Sequence, residues 1–259
     1  LVQAELLALI DTIALSKRRP KLLASIRDVL HRPRKDQRAQ AMVDLARRSY
    51  DGILVHSDPA IVRAEQGFAE IEQVSSLFRY TGYICRGVQA AYPTRGEVLI
   101  SAGGGAVGEG LIEAATEARK LSRLRDLPWT IVMGPLSQGE LSSADGLTKV
   151  RSLADFPDRL ANAAVSVSQA GYNTMTEALR ARTPTVVVPF ETDREREQIT
   201  RALCFQSHGL VEVVRGHELT PERLAAAIDT AADRKMAVHA INLDGQRGSV
   251  EAVREIIST

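Results

Sequence analysis

The sequence predicts two doubly wound α/β domains with parallel sheets, the first of them incomplete at its amino-terminal side. Strand-like runs alternate with helix-like runs along most of the chain, and a stretch containing Pro and Gly at 85–96 divides this alternation in two. A length of 259 residues is sufficient for two modest cores. We place the domains at residues 1–92 and 93–259, and we expect the last helix to pack back on the first domain.

The predicted first domain begins with an amphipathic helix and continues with three strands. The helix reads LVQAELLALIDTI, and the strands are predicted at Lys21–Leu30, at Asp51–Asp58 and in RYTGYI. Helical spacing in DQRAQAMVDLARRSY and in EQGFAEIEQVSSLF places a helix before the second strand and another before the third. This order is typical of a parallel sheet.

The predicted second domain repeats the alternation with more elements. Its strands are EVLISAG, WTIVMGP, LTKVRSL, AVSVSQA, TVVVPF and LVEVV, with a polar Gly/Ser loop after the second of them. Its helices are EGLIEAATEARKL, DFPDRLANA, TMTEALRA, REREQITRALCFQSHG, TPERLAAAIDTAAD and GSVEAVREII. Parallel strands of this kind end at one edge of the sheet, where ligands of open α/β sheets bind.

The charge distribution is uneven although the net charge is only +1. Residues 1–50 hold eleven Lys and Arg against five Asp and Glu. Since the net charge of the whole chain is +1, the remaining residues carry a net negative charge. This basic segment is either a solvated surface or a face for an anionic substrate or a membrane surface. No aromatic residues interleave the basic runs, so we do not expect nucleic acid as a partner.

The two cysteines, Cys85 and Cys204, match no metal or redox spacing and are predicted to be free thiols. There is no signal-peptide pattern and no apolar run of the ~20 residues that a membrane span needs. We therefore expect a cytoplasmic protein that contacts the membrane only from its surface.

A glycine-rich turn follows the first strand of the second domain, with glycines at 103, 104, 105 and 108. Bare glycine lets the backbone approach a ligand, and the helix that follows would favour an anion such as phosphate. The alternative is a tight strand–helix turn. A dinucleotide site is not expected, because the next strand ends in Met133-Gly134-Pro135 without the required carboxylate. A P-loop is not expected either, because no Lys-Ser/Thr pair follows these glycines.

A second glycine turn lies in SVSQAGYNTMTEALRARTPTVVVPF, between a strand and a helix. Thr174 and Glu177 have the spacing of a capping box, which would explain both residues by helix capping alone. The other interpretation is a ligand: a carboxylate beside a phosphate-binding helix end suits a ribose diol. Since both glycine turns follow strand ends of one domain, they predict a shared site for a nucleotide diphosphate.

A third polar cluster follows the strand TVVVPF and comprises Glu191, Asp193, Arg194, Glu197 and Gln198. So many hydrogen-bonding groups at one strand end favour recognition of a sugar with many hydroxyls. The alternative is the exposed, charged start of a helix.

The stretch SQAGYNTMTEALRARTPTVVVPFETDREREQITRA resembles the donor-binding half of GT-B glycosyltransferases, which have two Rossmann-like domains. It is most similar to the family of the bacterial lipid-linked (undecaprenyl-diphospho-muramoylpentapeptide) N-acetylglucosaminyltransferase of peptidoglycan synthesis. SAGGGAVGEGL resembles that family's second glycine loop, and RYTGYICR resembles the end of its first domain. The resemblance covers residues 20–257 and is most specific over 171–202.

The resemblance implies a set of donor-binding residues. Glu177 would hold the ribose hydroxyls, the glycines with the amides near Thr174 would hold the diphosphate, and Leu153 would lie where the backbone reads the base, which favours uridine. Glu197 and Gln198 would contact the sugar, where the family more often has two glutamines, so the sugar identity stays open. The implied donor site comprises Gly103, Gly104, Gly105, Leu153, Gly171, Asn173, Thr174, Glu177, Glu197 and Gln198.

Inverting enzymes of this fold need a general base but no metal, and the sequence shows neither an Asp-x-Asp pair nor His/Cys ligand spacing. In the resembled family the base comes from a glycine- and histidine-containing turn near the amino terminus, and that turn is absent from this sequence. We therefore expect the base in a segment missing from it. Among the visible groups, Asp28 and His56 at strand ends are the catalytic candidates, and Arg27 is a candidate contact for an anionic acceptor.

These observations predict an inverting, metal-independent glycosyltransferase that uses a nucleotide-sugar, with UDP favoured, and no cofactor. The acceptor is expected to be anionic or lipid-linked. A nucleotide-sugar hydrolase of similar architecture is one alternative. A non-catalytic nucleotide-sugar-binding protein is the other.

Overall fold

The structure of the protein, a computed structural model, describes residues 2–33, 35–85, 96–103, 108–193, 195–234 and 241–258. It divides the chain into two compact units, Leu1–Ile84 with Asp244–Thr259 and Cys85–Leu243. Both are mixed α/β units with parallel sheets, which confirms the predicted class. The last residues belong to the first unit, whereas the predicted boundaries grouped them with 93–243. The reason is the packing of the final helix.

The first unit contains, in its described part, a three-stranded parallel sheet with the order β1-β2-β3. Its register pairs Ile26 with Val55 and Val55 with Tyr80, so the carboxyl ends of the strands lie at one edge. The elements are α1 (Val2–Ala14), β1 (Leu23–Ile26), α2 (Asp36–Ser49), β2 (Gly52–Val55), 3₁₀ segments Ala64–Gln66 and Ala69–Leu77, and β3 (Phe78–Tyr80).

The two faces of this sheet are covered by different helices. Val55 packs with Val43 of α2 on one face, and Leu54 packs with Ile256 of the last helix, α8 (Gly245–Ser258), on the other. The helix lies so close that a Cβ at Gly248 would sit 2.0 Å from the Thr81 carbonyl oxygen. Only glycine permits that approach.

The second unit contains a seven-stranded sheet with the order β10-β9-β8-β4-β5-β7-β6 among the residues described, parallel except for β6. Its strands are β4 (Glu97–Ser101), β5 (Trp129–Val132), β6 (Ser142–Ala144), β7 (Leu147–Val150), β8 (Ala163–Ser168), β9 (Thr185–Val187) and β10 (Glu212–Val213). Its helices are α3 (Glu109–Leu121), α4 (Phe156–Asn162), α5 (Tyr172–Ala181), α6 (Glu197–Ser207) and α7 (Pro221–Asp233), with a 3₁₀ turn at Gly216–Glu218.

Helices cover this sheet on both faces, as a doubly wound fold requires. Ile100 packs with Leu111 of α3 and Ile228 of α7 on one side, and Leu99 packs with Leu160 of α4 and Ala178 of α5 on the other. Neighbouring residues of β4 thus point to opposite layers. The loops that follow the parallel strands are left at the carboxyl edge.

Several predicted segments differ from the structure, among them a loop, a strand and a helix. The stretch predicted as a polar loop contains β6, which pairs with β7 through a turn at Asp145 (φ 50) and Gly146 (φ 76). The strand predicted at Lys21–Leu30 is only Leu23–Ile26, because the chain turns at its polar Arg-Asp pair. The helix predicted in EQGFAEIEQVSSLF is two 3₁₀ segments, since Gly67 ends the first and Phe68 is extended.

Candidate functional site

The two glycine turns lie side by side. Strands β4 and β8 are parallel neighbours, and their last residues, Ser101 and Ser168, are paired in register. The chain therefore leaves the sheet at adjacent points of the carboxyl edge. The sequence predicted the same edge for both turns, and the strand order makes them neighbours.

Gly103 shows how closely the two turns approach. Its φ is +80°, a backbone conformation that side chains rarely adopt, and a Cβ there would lie 2.7 Å from Oε1 of Gln169. Glycine is thus required both by conformation and by space. The predicted ligands Gly104 and Gly105 lie outside the described residues.

The second turn leads into α5, which begins earlier than the sequence predicted. Gly171 is the N-cap residue and Tyr172 the first helical residue, so the N-cap position itself offers no side chain for capping. Thr174 is therefore inside the first turn, so the capping box of Thr174 and Glu177 is wrong. A capping box therefore does not explain why Thr174 and Glu177 occur at this spacing.

The polar residues of α5 nevertheless lie at the carboxyl edge. Asn173 is exposed, and Thr174 and Glu177 are half-buried. Thr176 is fully buried and donates to the Asn173 carbonyl at 2.9 Å, so it serves the helix itself. Glu177 lies one and a half turns into the helix, on a surface that solvent reaches.

The start of α6 is held by its own side chains. The Glu197 carboxylate accepts a bond of 2.6 Å from Arg201, and Gln198 Oε1 accepts a bond of 3.0 Å from the Phe190 amide. Arg201 is fully buried and also donates to the Ala170 carbonyl at 2.6 Å. The predicted sugar-binding pair is thus fixed to the turns that follow β8 and β9.

A cavity of about 460 Å³ opens at this edge, beyond β8, β9 and β10 and beside the first turn of α3. Gln169, Glu191, Asp193, Arg196, Arg215 and His217 contribute its polar lining. Glu177, Glu197 and Gln198 are not among its described lining residues. Gln198 reaches it indirectly, because its side chain accepts a hydrogen bond from the amide of Phe190, which does line the cavity.

A charged pair lies on the cavity wall. The Arg215 guanidinium donates to both oxygens of the Glu191 carboxylate, at 2.9 and 2.8 Å. This hydrogen bonding lowers the pKa of Glu191 and raises the pKa of Arg215. Glu191 is therefore a carboxylate at neutral pH and can only accept hydrogen bonds, for example from hydroxyl groups.

Leu153 follows β7 and is half-buried against Phe156 and the core under α4. Strand β7 is separated from β8 by β4 and β5. Three strand spacings amount to roughly 14 Å, which an extended nucleoside diphosphate can span.

The catalytic candidates lie in the first unit. His56 directly follows β2 and is half-buried, and this burial lowers its pKa. Arg27 is exposed. Asp28 is fully buried, and its Oδ1 accepts a bond of 2.7 Å from the Val29 amide, whereas the sequence placed it at an open strand end.

No group of three or more His, Cys, Asp or Glu side chains is placed to hold a metal ion in the part of the chain that the structure describes. Across those same residues, no helix is both long and apolar enough to cross a membrane.

The family profile described as "Glycosyltransferase family 28 C-terminal domain" matches residues 99–254, which is more than half of the chain. The chain belongs to this glycosyltransferase family. The matched range contains both glycine turns, α5, α6 and the cavity, so the candidate site lies within the family's own domain. The resemblance stated from the sequence is confirmed.

Relatives of known name agree with this assignment. An uncharacterized glycosyltransferase of Methanopyrus kandleri is 30% identical over 163 residues, 62% of this chain and 45% of that protein. The UDP-N-acetylglucosamine–N-acetylmuramyl-(pentapeptide) pyrophosphoryl-undecaprenol N-acetylglucosamine transferase of Brucella anthropi is 34% identical over 86 residues, 33% of this chain and 23% of that one. The chain thus spans less than half the length of these relatives.

The structural comparison shows the fold. The crystal structure of Acinetobacter baumannii MurG superposes with a TM-score of 0.55 at 20% identity, over 83% of this chain and 63% of that one. The glycosyltransferase family 28 chain therefore has the GT-B fold and covers part of it.

The residues of the candidate site that the sequence analysis missed include Gln169, Arg201 and Arg215. A signal existed for Arg201, since it lies four residues after Glu197 on a helix, where opposite charges pair. Gln169 and Arg215 carry no such signal, because their partners are Gly103 and Glu191 on other loops.

Proposed function

We propose that this chain holds the donor of a glycosyltransferase that transfers a sugar from a UDP-sugar to an acceptor hydroxyl, with inversion and without a metal ion. The observation that carries the proposal is the adjacency of the two glycine turns inside a glycosyltransferase family 28 domain. The bacterial relative's name gives UDP-N-acetylglucosamine as its donor, which supports UDP here.

The diphosphate would lie over the two adjacent turns. Gly103 would bring bare backbone to one side, and the start of α5, whose N-cap residue Gly171 has no side chain, would present main-chain amides on the other. The positive end of a helix dipole stabilises phosphate oxygens. The amides of Asn173 and Thr174 would belong to the same cradle.

The nucleoside would extend from the cradle across the carboxyl edge. Glu177, half-buried on α5, would accept hydrogen bonds from the two ribose hydroxyls. The backbone at Leu153, beyond β7, would contact the uracil. Both assignments follow from the resemblance. The strand order supports them, because β4 and β5 separate β7 from β8 by roughly 14 Å, a distance that an extended nucleoside diphosphate can span.

The sugar would enter the cavity beyond β9. Its lining holds both carboxylates and guanidinium groups, among them the paired Glu191 and Arg215, and such groups can exchange hydrogen bonds with several hydroxyls at once. Gln198 adjoins this region through its hydrogen bond with the Phe190 amide, and Glu197 is the residue before it on α6.

In the proposed reaction the acceptor oxygen attacks the anomeric carbon from the face opposite the diphosphate. The bond from the anomeric carbon to the diphosphate oxygen breaks, and the charge that develops on that oxygen is stabilised by the cradle amides. Preorganised amides supply this charge stabilisation, so a metal ion is not needed. The acceptor proton requires a base.

The acceptor is proposed to be anionic or lipid-linked, with the protein acting at the cytoplasmic membrane surface. The basic balance of residues 1–50 supports this, since about 1 kcal/mol per Lys or Arg is gained near an anionic membrane. The bacterial relative is named for an undecaprenol-linked acceptor.

Replacement of Glu177 by Ala tests the donor site. In a thermal-shift panel of UDP-, GDP- and dTDP-sugars on full-length protein, we expect UDP-sugars to stabilise the wild type most. At ~100 times the dissociation constant the stabilisation should approach 3 kcal/mol. Glu177→Ala should lose most of this shift, because the ribose hydroxyls lose their acceptor.

Glu113→Ala is the matched control, since Glu113 is an exposed glutamate on α3 of the same unit. It should keep the full shift. An unchanged shift in Glu177→Ala would contradict the ribose role, and the absence of a shift with every nucleotide-sugar would contradict the proposed function.

A further inference from the structure

An ion pair forms part of the cavity wall at the carboxyl edge of the second unit's sheet. Glu191 lies in the loop that follows β9, and Arg215 lies between β10 and the 3₁₀ turn Gly216–Glu218. The guanidinium donates from Nε to Oε1 at 2.9 Å and from Nη2 to Oε2 at 2.8 Å. The two loops are therefore joined by a bidentate pair, which fixes the orientation of both side chains.

The residues directly before the two partners are themselves hydrogen-bonded through their backbone. The amide of Phe190 donates to Gln198 Oε1 at 3.0 Å. The amide of Val214 donates to the Val187 carbonyl at 3.0 Å. Each partner of the ion pair thus extends from an anchored backbone, so a ligand that meets the pair does not have to order it first.

Each partner keeps hydrogen-bonding capacity that the other does not use. An ionised carboxylate has about four acceptor positions, and Arg215 fills only part of those of Glu191. The Nη1 group of Arg215 has no partner among the residues that the structure describes. Both side chains line the cavity, and 19% of the Glu191 side chain and 41% of the Arg215 side chain are exposed. A ligand in the cavity can therefore reach both.

The surroundings of Glu191 keep it ionised. The hydrogen bond from Arg215 lowers the pKa of Glu191 against the opposing effect of burial, and the charges of His217 and Arg196 act in the same direction as Arg215. As a carboxylate, Glu191 accepts hydrogen bonds and cannot donate them, whereas a guanidinium donates and cannot accept. The cavity wall therefore offers an acceptor and a donor side by side.

The spacing of this acceptor and this donor fits two hydroxyl groups of a sugar. Glu191 Oε2 and Arg215 Nη2 are 2.8 Å apart. The oxygens on neighbouring ring carbons of a pyranose are separated by a similar distance. One hydroxyl can therefore donate to Glu191 while the oxygen of its neighbour accepts from Arg215.

We propose that Glu191 determines donor specificity, with Arg215 as its positioning residue, and that the pair selects a sugar with two free hydroxyl groups on neighbouring ring carbons. The inference rests on the proposed function, because it takes the cavity to hold the donor sugar. A sugar that lacks either hydroxyl leaves a charged group of the wall without its partner. A site built to hydrogen-bond a hydroxyl rejects such an analogue far more strongly than an apolar pocket rejects a missing methylene.

Deoxy forms of a nucleotide-sugar test the selection. UDP-N-acetylglucosamine, the donor in the bacterial relative's name, is the probe, and its free hydroxyls on neighbouring ring carbons are those at C3 and C4. In calorimetry on the full-length protein, the 3-deoxy and 4-deoxy forms should each bind at least about tenfold more weakly than this parent. UDP, which has no sugar, measures the rest of the donor site.

Glu191→Gln shows whether the penalty belongs to this wall. The amide keeps the shape of the carboxylate but loses its charge and one acceptor oxygen. The parent should bind about tenfold more weakly, since charge-assisted hydrogen bonds are the stronger ones, while UDP should bind as to the wild type. The penalty for one of the two deoxy forms should disappear, because the variant has already lost that bond. The 6-deoxy form should keep its wild-type ratio to the parent.

Arg215→Met tests the positioning role. The variant removes the fork that orients Glu191 and the donor for the second hydroxyl, so the penalties for the 3-deoxy and 4-deoxy forms should both shrink. UDP should bind as before. Arg215→Lys keeps the charge and a donor, and it should recover part of the affinity for the parent. Since the ion pair is partly exposed, none of these substitutions should unfold the protein.

Glu97→Gln is the matched control. Glu97 also forms a bidentate pair, with Arg159, and 13% of its side chain is exposed. It is the first residue of β4 and therefore lies at the amino edge of the sheet, opposite the cavity. This variant should bind UDP, the parent and every deoxy form as the wild type does.

The outcomes separate the inference from the proposed function. Equal affinities of the parent and its 3-deoxy and 4-deoxy forms would overturn the inference, and so would penalties that stay unchanged in Glu191→Gln and Arg215→Met. In both cases the proposed function would stand, because UDP and UDP-N-acetylglucosamine still bind. A full-length protein that binds neither of them would contradict the proposed function, and the inference with it.

Discussion

Arg201 illustrates how a single residue joins two loops of the candidate site. Its side chain is fully buried and contacts the Ala170 carbonyl, the Glu197 carboxylate and the ring of Tyr172, whose centroid lies 5.8 Å from the guanidinium carbon. A buried guanidinium is tolerated only where its donors and its charge find partners. Arg201 therefore fixes the turn before α5 and the start of α6 relative to each other.

Arg201→Met tests this bridge. The substitution fills the space but leaves the Ala170 carbonyl and the Glu197 carboxylate without their donor. Breaking a buried pair costs about 3–5 kcal/mol, and since Glu197 is partly exposed we expect a value near the lower end. Urea unfolding measures the change in the free energy of unfolding.

Arg123→Met serves as the control in the same unit, because the ion pair of Arg123 with Asp233 is exposed on both sides. It should change the stability far less. Equal losses in the two variants would show that Arg201 is no bridge.

At the scale of elements, local sequence explains two departures from the predicted boundaries. The β6–β7 hairpin is closed by Asp145-Gly146 with both φ angles positive, the dipeptide that favours this two-residue turn. That signal was present in the sequence. The start of α5 at Tyr172 had no comparable signal, because Gly171 caps the helix without a side chain.

The docking of α8 depends on glycine. Gly248→Ala would place a Cβ 2.0 Å from the Thr81 carbonyl oxygen. The contact can be relieved only by a shift of the backbone of α8 or of Thr81, which costs packing energy. We expect a loss of about 1–3 kcal/mol in the free energy of unfolding, as for other overpacked sites. Thermal and urea unfolding measure it.

Gly110→Ala is the matched change in α3, where nothing lies within 4 Å of the added Cβ. It should be neutral or stabilising, because alanine favours a helix over glycine. If both variants behaved alike, the close contact of α8 with Thr81 would be refuted.

At the scale of the whole molecule, each unit has a core of its own. The second unit covers both faces of its sheet with helices from within Cys85–Leu243, and the first recruits α8 from the end of the chain. The family 28 match begins at 99 in the second unit and extends into α8 of the first. The range matched by the family therefore does not end where the second compact unit ends.

A fragment of residues 85–243 tests where the donor binds. We expect it to unfold cooperatively and to bind UDP with an affinity within about tenfold of the full-length protein, a difference of about 1.4 kcal/mol. Calorimetry measures both properties, with Glu177→Ala in the fragment as the control. A folded fragment that fails to bind UDP, although the full-length protein binds it, would show that the donor site needs residues outside this unit.

The sequence by itself determined the alternation of strands and helices, and with it the α/β class and the edge at which the glycine turns end. These follow from hydrophobic periodicity and from glycine and proline, which act over a few residues. It could not determine that β4 and β8 are neighbours, that Arg201 reaches Ala170, or that Arg215 pairs with Glu191. Those contacts join residues far apart in the chain, and only the hydrogen bonding and packing of the folded sheets select their partners.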